Sequence, residues 1–331
     1  MARMLSMRPD KSDDHHFRHG IQMHEGTDVG DITVGNTYKY GQIYPYFFTN
    51  EGAAVYLDGI YRGSSCFLIG GGPSLLKEDV TQLYRPGIFT FGMNNSVKVV
   101  RPNMWSCVDD PARFLFSVWT DPKIMKFVPQ SAFRKQLWNS TFIEGKQIWQ
   151  EMPIHVGDCP NVLGFRRNDK FCAKRFLTED TINWGCHKDF GGCRSVMLSS
   201  LRILFILGFR RVFLVGVDLK MDEEHKYSFS EGRSPGAIKN NNHTYQRMLA
   251  DYFPNLKPEF DKWGFQLFCC NKESDLCKIF PHMSYTDAVK AASAHLGDTT
   301  QEKTEGMYLT LEEKRALKTW EACVKATQCK I

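Results

Sequence analysis

The sequence predicts an α/β protein built on a Rossmann-like, doubly wound and mostly parallel sheet with helices on both faces. Three observations lead to this prediction. Short apolar runs recur along the chain, each run ends at glycine or polar residues, and an apolar helical segment, 195–207, leads into one of the runs. Strands buried in a parallel sheet are apolar along their whole length, and their carboxyl ends line the ligand site.

Five core strands are expected, and each is followed by residues that end a strand. The strands are 66–69, 88–91, 104–108, 212–217 and 265–270. The first strand ends at a glycine-rich turn and leads into a helical segment, 75–83. The apolar helix 195–207 opens after Gly191 and Gly192, and it is expected to end at Gly208 because glycine adopts the left-handed conformation that closes many helices.

Three regions are predicted along the chain. Residues 1–62 form an N-terminal extension that packs on the core, residues 63–285 form a nucleotide-binding catalytic domain, and residues 286–331 form a helical tail. The catalytic domain is expected to hold an insertion at about 115–183 and a mobile loop at 222–242, with a helix that starts at His243. Thr310 and Glu313 have the spacing of a capping box at the start of the tail helix.

Composition limits the class of protein. Of the 331 residues, 42% are hydrophobic and 24% are charged, which is ordinary for a globular chain and excludes a disordered one. The longest apolar stretch is interrupted by Ser199, Ser200 and Arg202, so no membrane span is expected, and no signal peptide is visible. The eleven cysteines are therefore expected to be reduced thiols of a cytoplasmic protein.

The turn after the first strand is the leading candidate for a ligand site. It consists of Gly70, Gly71, Gly72, Pro73 and Ser74. Glycine lets a backbone approach a ligand closely, a helix start presents free N–H groups to an anion, and the Ser74 hydroxyl adds a donor. The turn lacks the lysine and the spacing of a GxxxxGK(S/T) phosphate loop, and it differs from the GxGxxG dinucleotide fingerprint.

Polar side chains follow the other predicted strands. Asn94 and Asn95 can hydrogen-bond a sugar or a base edge, or they form an asparagine-rich turn. Asp109 can bind ribose hydroxyls, hold a divalent metal or act as a general base, and Asp218 has the same options, although an Asp-Asp-Pro run is also ordinary turn chemistry. Because the carboxyl ends of parallel strands meet at one edge, these side chains are expected to converge.

Two candidate groups lie outside the strand ends, a general base and a lid. His243 can serve as the base for an acceptor hydroxyl, or it is a solvated residue at a helix start. His225, in the loop, is a further candidate for the base. Tyr227 and Arg233 are expected to stabilise a phosphate or leaving group from the same loop. No resident metal is expected, since the residues of the alternative zinc site have long and irregular gaps. Those residues are Cys159, Cys172, Cys186, His187 and Cys193.

The order of these motifs resembles one superfamily of Rossmann-like enzymes. Residues 67–75, with the letters FLIGGGPSL, resemble the opening GxGPSL motif of the sialyltransferases of glycosyltransferase family 42. The same motif opens a related group that holds motility accessory factors and hydroxymethylpterin pyrophosphokinases. Residues 101–109 are similar to a strand of that second group, and residues 191–218 and 265–271 resemble late elements of both. The resemblance covers about residues 64–282, with a poor match at about 115–180.

The resemblance implies a Rossmann-like fold and roles for particular residues. In those sialyltransferases the GxGPSL turn and an asparagine after the second strand contact a cytidine nucleotide. The positions that inherit this role are Gly71, Gly72, Pro73, Ser74 and Asn94 or Asn95. The family's histidine base falls at Asn240, three residues before His243. Asp109 is closer to the pyrophosphokinase group, where it helps to bind metal and triphosphate.

The sequence as a whole predicts a glycosyltransferase-like enzyme that moves a group from a CMP-sugar-like donor to a hydroxyl acceptor. The nucleotide is expected across the glycine turn, Asn94 and Asp109, with Gly191 and Gly192 also at the donor. A net charge of +5 suits such an anionic ligand. An ATP- and Mg²⁺-dependent pyrophosphokinase-like enzyme and a non-catalytic nucleotide-binding protein are the alternatives. The acceptor stays open among a glycan, a small molecule and modified DNA.

Overall fold

The structure is a computed structural model. It describes residues 45–144, 146–166, 171–179, 181–182, 195–222, 226–231, 235–297, 301 and 310–328. The chain divides into two compact units, Met1–Ala292 and Ser293–Ile331. Among the described residues, no helix combines the length and the apolar character that crossing a bilayer requires.

The described part of the chain contains both strands and helices. The strands are β1 (Phe47–Phe48), β2 (Ala54–Val55), β3 (Ser65–Ile69), β4 (Phe89–Met93), β5 (Met104–Ser106), β6 (Met125–Pro129), β7 (Gln136–Ile143), β8 (Lys146–His155), β9 (Val162–Phe165), β10 (Arg211–Val215) and β11 (Gln266–Cys269). The α-helices are α1 (Phe116–Thr120), α2 (Val196–Ile206), α3 (Pro235–Arg247), α4 (Phe253–Lys262), α5 (Tyr285–Ser293) and α6 (Leu311–Gln328). A π-helical segment, Met248–Tyr252, joins α3 to α4.

Nine of the described strands form one sheet in the order β11-β10-β3-β4-β5-β6-β9-β1-β2. The strands from β11 to β9 are parallel, and β1 and β2 continue the sheet in antiparallel fashion beyond β9. After β3 the chain adds β4 on one side of that strand, and β10 later pairs with β3 on its other side. This reversal between β3 and β10 is the topological switch point of a doubly wound sheet.

Both faces of the sheet are covered by apolar side chains. Cys66 and Leu68 of β3 belong to the cluster that includes the buried residues of α2. Phe67 and Ile69, which point the other way, belong to the cluster that includes residues of α5. Since successive residues of a strand point to opposite faces, a strand covered on both sides is apolar throughout. The predicted α/β class with a doubly wound, mostly parallel sheet is confirmed.

The five predicted strands are present as β3, β4, β5, β10 and β11, with ends displaced by at most two residues. Other parts of the sheet differ from the prediction. β1 and β2 belong to the sheet although they lie in the predicted extension, and β6 and β9 are parallel strands inside the predicted insertion. In the described part of that insertion, the β7–β8 hairpin forms a separate two-stranded sheet.

Two predicted helices also differ. The segment after the glycine turn consists of two 3₁₀ segments, Pro73–Lys77 and Val80–Tyr84, and Asp79 caps the second by accepting a hydrogen bond from the Thr81 N–H. Helix α3 starts at Pro235 rather than at His243, so residues 235–242 of the predicted mobile loop are helical. Proline is favourable in a first helical turn because the N–H that it lacks would have no intrahelical partner there.

Helix α2 has the predicted bounds, and its carboxyl end is tied to an earlier part of the chain. Gly208 follows the helix with a φ of +102°. The N–H groups of Gly59 and Tyr61 donate to the carbonyl oxygens of Ile206 and Leu207, at 2.9 and 2.8 Å. Carbonyls at a helix end have no intrahelical donor, so this segment supplies the donors that a buried end needs.

In the unit Ser293–Ile331, helix α6 begins at the predicted capping box. The Thr310 N–H donates to Glu313 Oε2 at 2.7 Å, and the Glu313 N–H donates to Thr310 Oγ1 at 3.2 Å. The bonds from Thr310 hold the pKa of the Glu313 carboxyl below its usual value.

The contact at Gly208 leads to a stability prediction. A Cβ at this position would lie 2.8 Å from the Gly59 Cα and 2.9 Å from the Arg62 N. Gly208→Ala is therefore expected to lower the free energy of unfolding by about 2–4 kcal/mol, from a strained φ and from overpacking. Gly264→Ala is the matched control, because Gly264 also has a positive φ, +63°, but has nothing within 4 Å of its Cβ position.

Urea unfolding followed by tryptophan fluorescence would measure both variants. Gly264→Ala is expected to cost only the strain of the backbone, about 1 kcal/mol. Equal losses in the two variants would show that the packing of the Gly59 segment on α2 contributes nothing.

Candidate functional site

A cleft of about 1540 Å³ opens at the carboxyl ends of the parallel strands. Residues that follow β3, β4, β5 and β10 line it, including Gly71, Asn94, Asp109 and Asp218. The predicted convergence of the strand ends is therefore present, and the cleft includes the switch point where open α/β sheets bind ligands. Its lining holds five Lys or Arg side chains and four Asp or Glu side chains, which suits a ligand of modest negative charge.

The glycine turn is joined to the end of β10. The N–H groups of Gly70 and Gly72 donate to the carbonyl oxygens of Val215 and Gly216, at 2.8 and 2.7 Å. A Cβ on Gly70 would lie 2.3 Å from the Gly216 oxygen, and a Cβ on Gly72 would lie 2.4 Å from a carboxylate oxygen of Asp218. These two glycines are thus required by the close approach of two chain segments, which differs from the expected approach to a ligand.

Gly71 is the part of the turn that keeps a donor for the cleft. Its N–H has no partner among the described residues, whereas its carbonyl accepts the Ser228 N–H at 2.9 Å. Pro73 has no N–H, and Ser74 donates to Asp218. Because a short 3₁₀ segment follows instead of a longer α-helix, the expected row of free helical N–H groups is absent from the described turn.

Asp218 holds this part of the site together. It is 6% exposed, and its two carboxylate oxygens accept hydrogen bonds from the Ser74 N–H at 3.0 Å, from the Ser74 hydroxyl and from Asn271 Nδ2 at 2.9 Å. Ser74 follows β3 and Asn271 follows β11, so one carboxylate joins the ends of three neighbouring strands. An acceptor that is occupied in this way positions other groups and is poorly placed to take a proton from a substrate.

Asn94 and Asn95 line the cleft. Their Oδ1 atoms are buried and have no hydrogen-bond partner among the described residues. Asn94 adopts a left-handed φ of +49°, and Trp105 Nε1 donates to its carbonyl oxygen at 2.8 Å. Asn95 Nδ2 donates to Glu231 Oε2 at 2.9 Å. Trp105 therefore fixes the backbone of Asn94, while its amide oxygen has no partner among the described residues.

Asp109 lies at the cleft in an exposed ion pair. Its carboxylate contacts Arg113 Nη1 at 3.3 Å, and its side chain is 43% exposed. The neighbouring Asp110 accepts the Ala112 N–H at 3.0 Å and the Lys135 ammonium at 3.2 Å. Burial opposes ionisation of Asp110, but these two partners outweigh it, so the pKa of Asp110 lies below its usual value. Asp110 is the more exposed of the two carboxylates, with 58% of its side chain accessible against 43% for Asp109.

The segment 226–231 lies across the glycine turn. Tyr227 and Phe229 stack with 5.0 Å between ring centroids, and both line the cleft. Lys98 Nζ lies 5.1 Å from the centroid of Phe229 and 3.8 Å from Glu231 Oε2. A Cβ on Gly71 would lie 3.0 Å from the Phe229 ring and 3.4 Å from the Tyr227 ring, so the aromatic pair packs against this residue. Of the other predicted groups, Arg233, His225, Gly191 and Gly192 lie outside the described residues.

His243 is an exposed residue of α3 that lines the cleft. It lies in the last third of the helix and not at its start, because α3 begins eight residues earlier. Its imidazole makes no hydrogen bond to another described residue. Asn242 beside it fixes the helix, since its side chain accepts the Met221 N–H at 2.9 Å and donates to the Met221 carbonyl at 2.7 Å.

Sequence reasoning missed the aromatic wall of the cleft. Trp138 and Trp149 of the β7–β8 hairpin line it, together with Ser140 and Gln147. These four residues occur at alternate positions of two strands, which is a signal that could have been noticed as a hairpin with one shared face. Arg113 and Lys98, which also line the cleft, carry no sequence pattern that separates them from other surface cations.

The carboxylates at the strand ends do not fit a divalent cation. Asp109 pairs with Arg113, Asp110 with Lys135, and Asp218 accepts hydrogen bonds from Ser74 and Asn271. No group of three His, Cys, Asp or Glu side chains in the described residues could hold a metal ion. Three residues of the alternative zinc site, Cys186, His187 and Cys193, lie outside the described residues.

No protein-family model and no curated protein matches the chain. Among solved structures it is similar to the sialyltransferase CstII from Campylobacter jejuni in complex with cytidine-5'-monophosphate, at 12% identity over 67% of this chain and 85% of that one, with a TM-score of 0.35. CstII with CMP-3FNeuAc also matches, at 12% identity over 66% and 86% of the chains, with a TM-score of 0.33.

The MAf glycosyltransferase from Magnetospirillum magneticum AMB-1 is similar at 12% identity over 69% of this chain and 34% of that one, with a TM-score of 0.39. The fold class itself rests on the strand order and register of this chain.

Substitutions at Asp218 and at Asp109 are expected to differ in their effect on stability. Asp218→Asn places amide hydrogens against the donors of Ser74 or Asn271 in a buried position, so we expect the free energy of unfolding to fall by about 2–4 kcal/mol. Asp109→Asn removes an exposed ion pair and is expected to change it by about 0.5 kcal/mol or less. Urea unfolding measures both. A stable Asp218→Asn protein would contradict the anchoring role.

Proposed function

We propose that the cleft binds a nucleotide-activated donor and transfers a group from it to a hydroxyl acceptor, which makes the chain a glycosyltransferase-like enzyme. The observation that carries this proposal is the pair of buried amide oxygens of Asn94 and Asn95, without partners among the described residues, at the switch point of a doubly wound sheet.

The two amide oxygens favour the nucleoside part of a ligand. A buried acceptor without a partner costs about 1–3 kcal/mol, which a ligand recovers if it brings an N–H or O–H donor. Base amino groups and ribose hydroxyls are such donors, whereas a phosphate offers only acceptors at neutral pH. The phosphate would instead meet the Gly71 N–H and the basic side chains on the cleft wall, among them Lys220 and Lys226.

His243 is proposed as the general base. Imidazole exchanges protons near neutral pH, and this ring is exposed at the cleft without a competing hydrogen bond among the described residues. The acceptor oxygen loses its proton to His243 and forms a bond to the activated carbon of the donor. The bond from that carbon to the nucleotide phosphate breaks, and its electron pair leaves with the nucleotide.

The pyrophosphokinase-like alternative receives less support. It needs Mg²⁺, and the described strand-end carboxylates are engaged with Arg113, Lys135, Ser74 and Asn271. Transfer that continues in EDTA would count against this alternative. A non-catalytic nucleotide-binding protein predicts nucleotide binding and no turnover.

Nucleotide binding is the first test. A thermal-shift panel of CMP, UDP, GDP, ADP and ATP, with and without Mg²⁺, is expected to give a shift with one nucleotide, and CMP leads because the GxGPSL motif resembles a cytidine site. A ligand at 100 times its dissociation constant adds about 2.7 kcal/mol of stability. The proposal fails if none of these nucleotides shifts the melting temperature.

A pair of glycine variants locates that binding. Asn94→Gly deletes the amide while a glycine accepts the φ of +49°, so we expect the ligand-induced shift to fall while the unliganded protein stays folded. Asn161→Gly is the matched control, because Asn161 has a φ of +54° and lies outside the cleft. Equal ligand-induced shifts in the two variants would remove Asn94 from the site.

The rate of turnover tests whether His243 is the general base. His243→Ala is expected to slow release of free nucleotide from CMP-, UDP- or GDP-sugars by about 10²–10⁴-fold, without changing the thermal shift by the nucleotide, because only proton transfer is lost. Gln246→Ala, on the same helix but outside the cleft, is the control. A His243→Ala enzyme with normal turnover would assign the proton to another group.

A further inference from the structure

The β7–β8 hairpin presents one face to the cleft. Ser140 lies directly opposite Trp149, and Trp138 is two positions along on the same face. These side chains and Gln147 line the main cleft and also a smaller recess of about 120 Å³ beside it. Trp149 is 49% exposed, which is a large apolar area to leave in water.

We infer that this recess is a subsite for a carbohydrate ring of the acceptor, an inference that rests on the proposed function. The face of an indole carries negative charge density, and the C–H groups of one face of a sugar ring carry positive charge density, so the two stack. Gln147 Nε2 donates to Ser140 Oγ at 3.1 Å, which places an amide and a hydroxyl beside the Trp149 ring. Both can hydrogen-bond the hydroxyls at the edge of a stacked sugar.

Charge favours a carbohydrate over a nucleic acid. A site for single-stranded nucleic acid combines aromatic rings with a basic groove that follows the phosphates. The hairpin face contains no Lys or Arg among these residues, and the register adds Glu151 opposite Trp138. The nearest cations of the recess, Lys98 and Arg113, face the carboxylates of Glu231 and Asp109.

The recess is placed to deliver an acceptor to the donor. Lys98 and residues 112–115 line both the recess and the main cleft, so a ligand that fills the recess extends into the cleft without leaving the protein surface. Arg113 contacts Asp109, which follows β5 at the same edge as Asn94. An acceptor hydroxyl would therefore reach the cleft from the β5 side, while the nucleotide lies at β3 and β4.

The test measures glycan binding and nucleotide binding on the same proteins. Full-length wild type and variants are applied to a glycan array in the presence of CMP, and each variant is also examined by CMP thermal shift. Trp149→Ala is expected to weaken glycan binding about tenfold or more, since the stacking contribution is lost, while the CMP shift is unchanged. Trp149→Phe keeps an aromatic face and should retain most of the binding.

Ile148→Ala is the matched control, because Ile148 is the adjacent residue of β8, lies on the opposite face and is also exposed. It should bind glycans as the wild type does. Wild-type protein that shifts with CMP but binds no glycan would overturn the subsite and leave the proposed function standing. Loss of the CMP shift in Trp149→Ala would assign the indole to the nucleotide base and overturn it as well.

Capture of single-stranded DNA oligonucleotides by the wild type, with loss in Trp149→Ala, would also overturn the carbohydrate assignment. If the wild type responds to no nucleotide in the panel, the proposed function fails first, so the two failures are distinguishable. Circular dichroism of Trp149→Ala separates loss of binding from loss of folding, and Trp149→Phe decides the question if that variant does not fold.

Discussion

The hydrogen bonds of one buried carboxylate determine the shape of the site. Asp218 accepts donors from Ser74, after β3, and from Asn271, after β11, and it follows β10 itself. These are adjacent strands, so the carboxylate fixes the relative position of three loops at the switch point. A buried carboxylate needs hydrogen-bond donors, because a buried polar group without partners destabilises the folded state.

The geometry of the glycine turn follows from this carboxylate. Gly70 and Gly72 have no room for a Cβ because the end of β10 approaches them, and only Gly71 faces the cleft with an unused N–H among the described groups. Most N–H groups of the turn are therefore used within the protein, and the turn is not a row of free amides. The other polar groups at this edge come from neighbouring loops, among them the unpaired amide oxygens of Asn94 and Asn95.

The sequence was sufficient for the centre of the fold and insufficient for its edges. β3, β10 and α2 are long, apolar and bounded by glycine, so pattern alone predicts them. β1 and β2 have two residues each, which is too few for any periodicity. The start of α3 was missed because Pro235 and Gly236 are typical of loops, although proline is also common at the first helical position.

The same limit applies to the site. Residue type and position at a strand end predicted that Asp109 and Asp218 reach the cleft, but the role of each depends on a partner that sequence patterns do not identify. The partners of Asp218 are 144 and 53 residues away in the chain, whereas Asp109 pairs with Arg113, four residues on. A carboxylate is therefore assigned to anchoring or to chemistry only when its hydrogen bonds are known.

The floor and the wall of the cleft come from different parts of the sequence, and the resemblance of motifs covers only one of them. The floor consists of strand ends, which any doubly wound sheet brings together and which the GxGPSL motif marks. The hairpin wall with Trp138 and Trp149 comes from the stretch that matches the resembling families poorly. A motif at the strand ends therefore says nothing about the hairpin, and the chemistry of that wall has to be argued from the side chains of this chain.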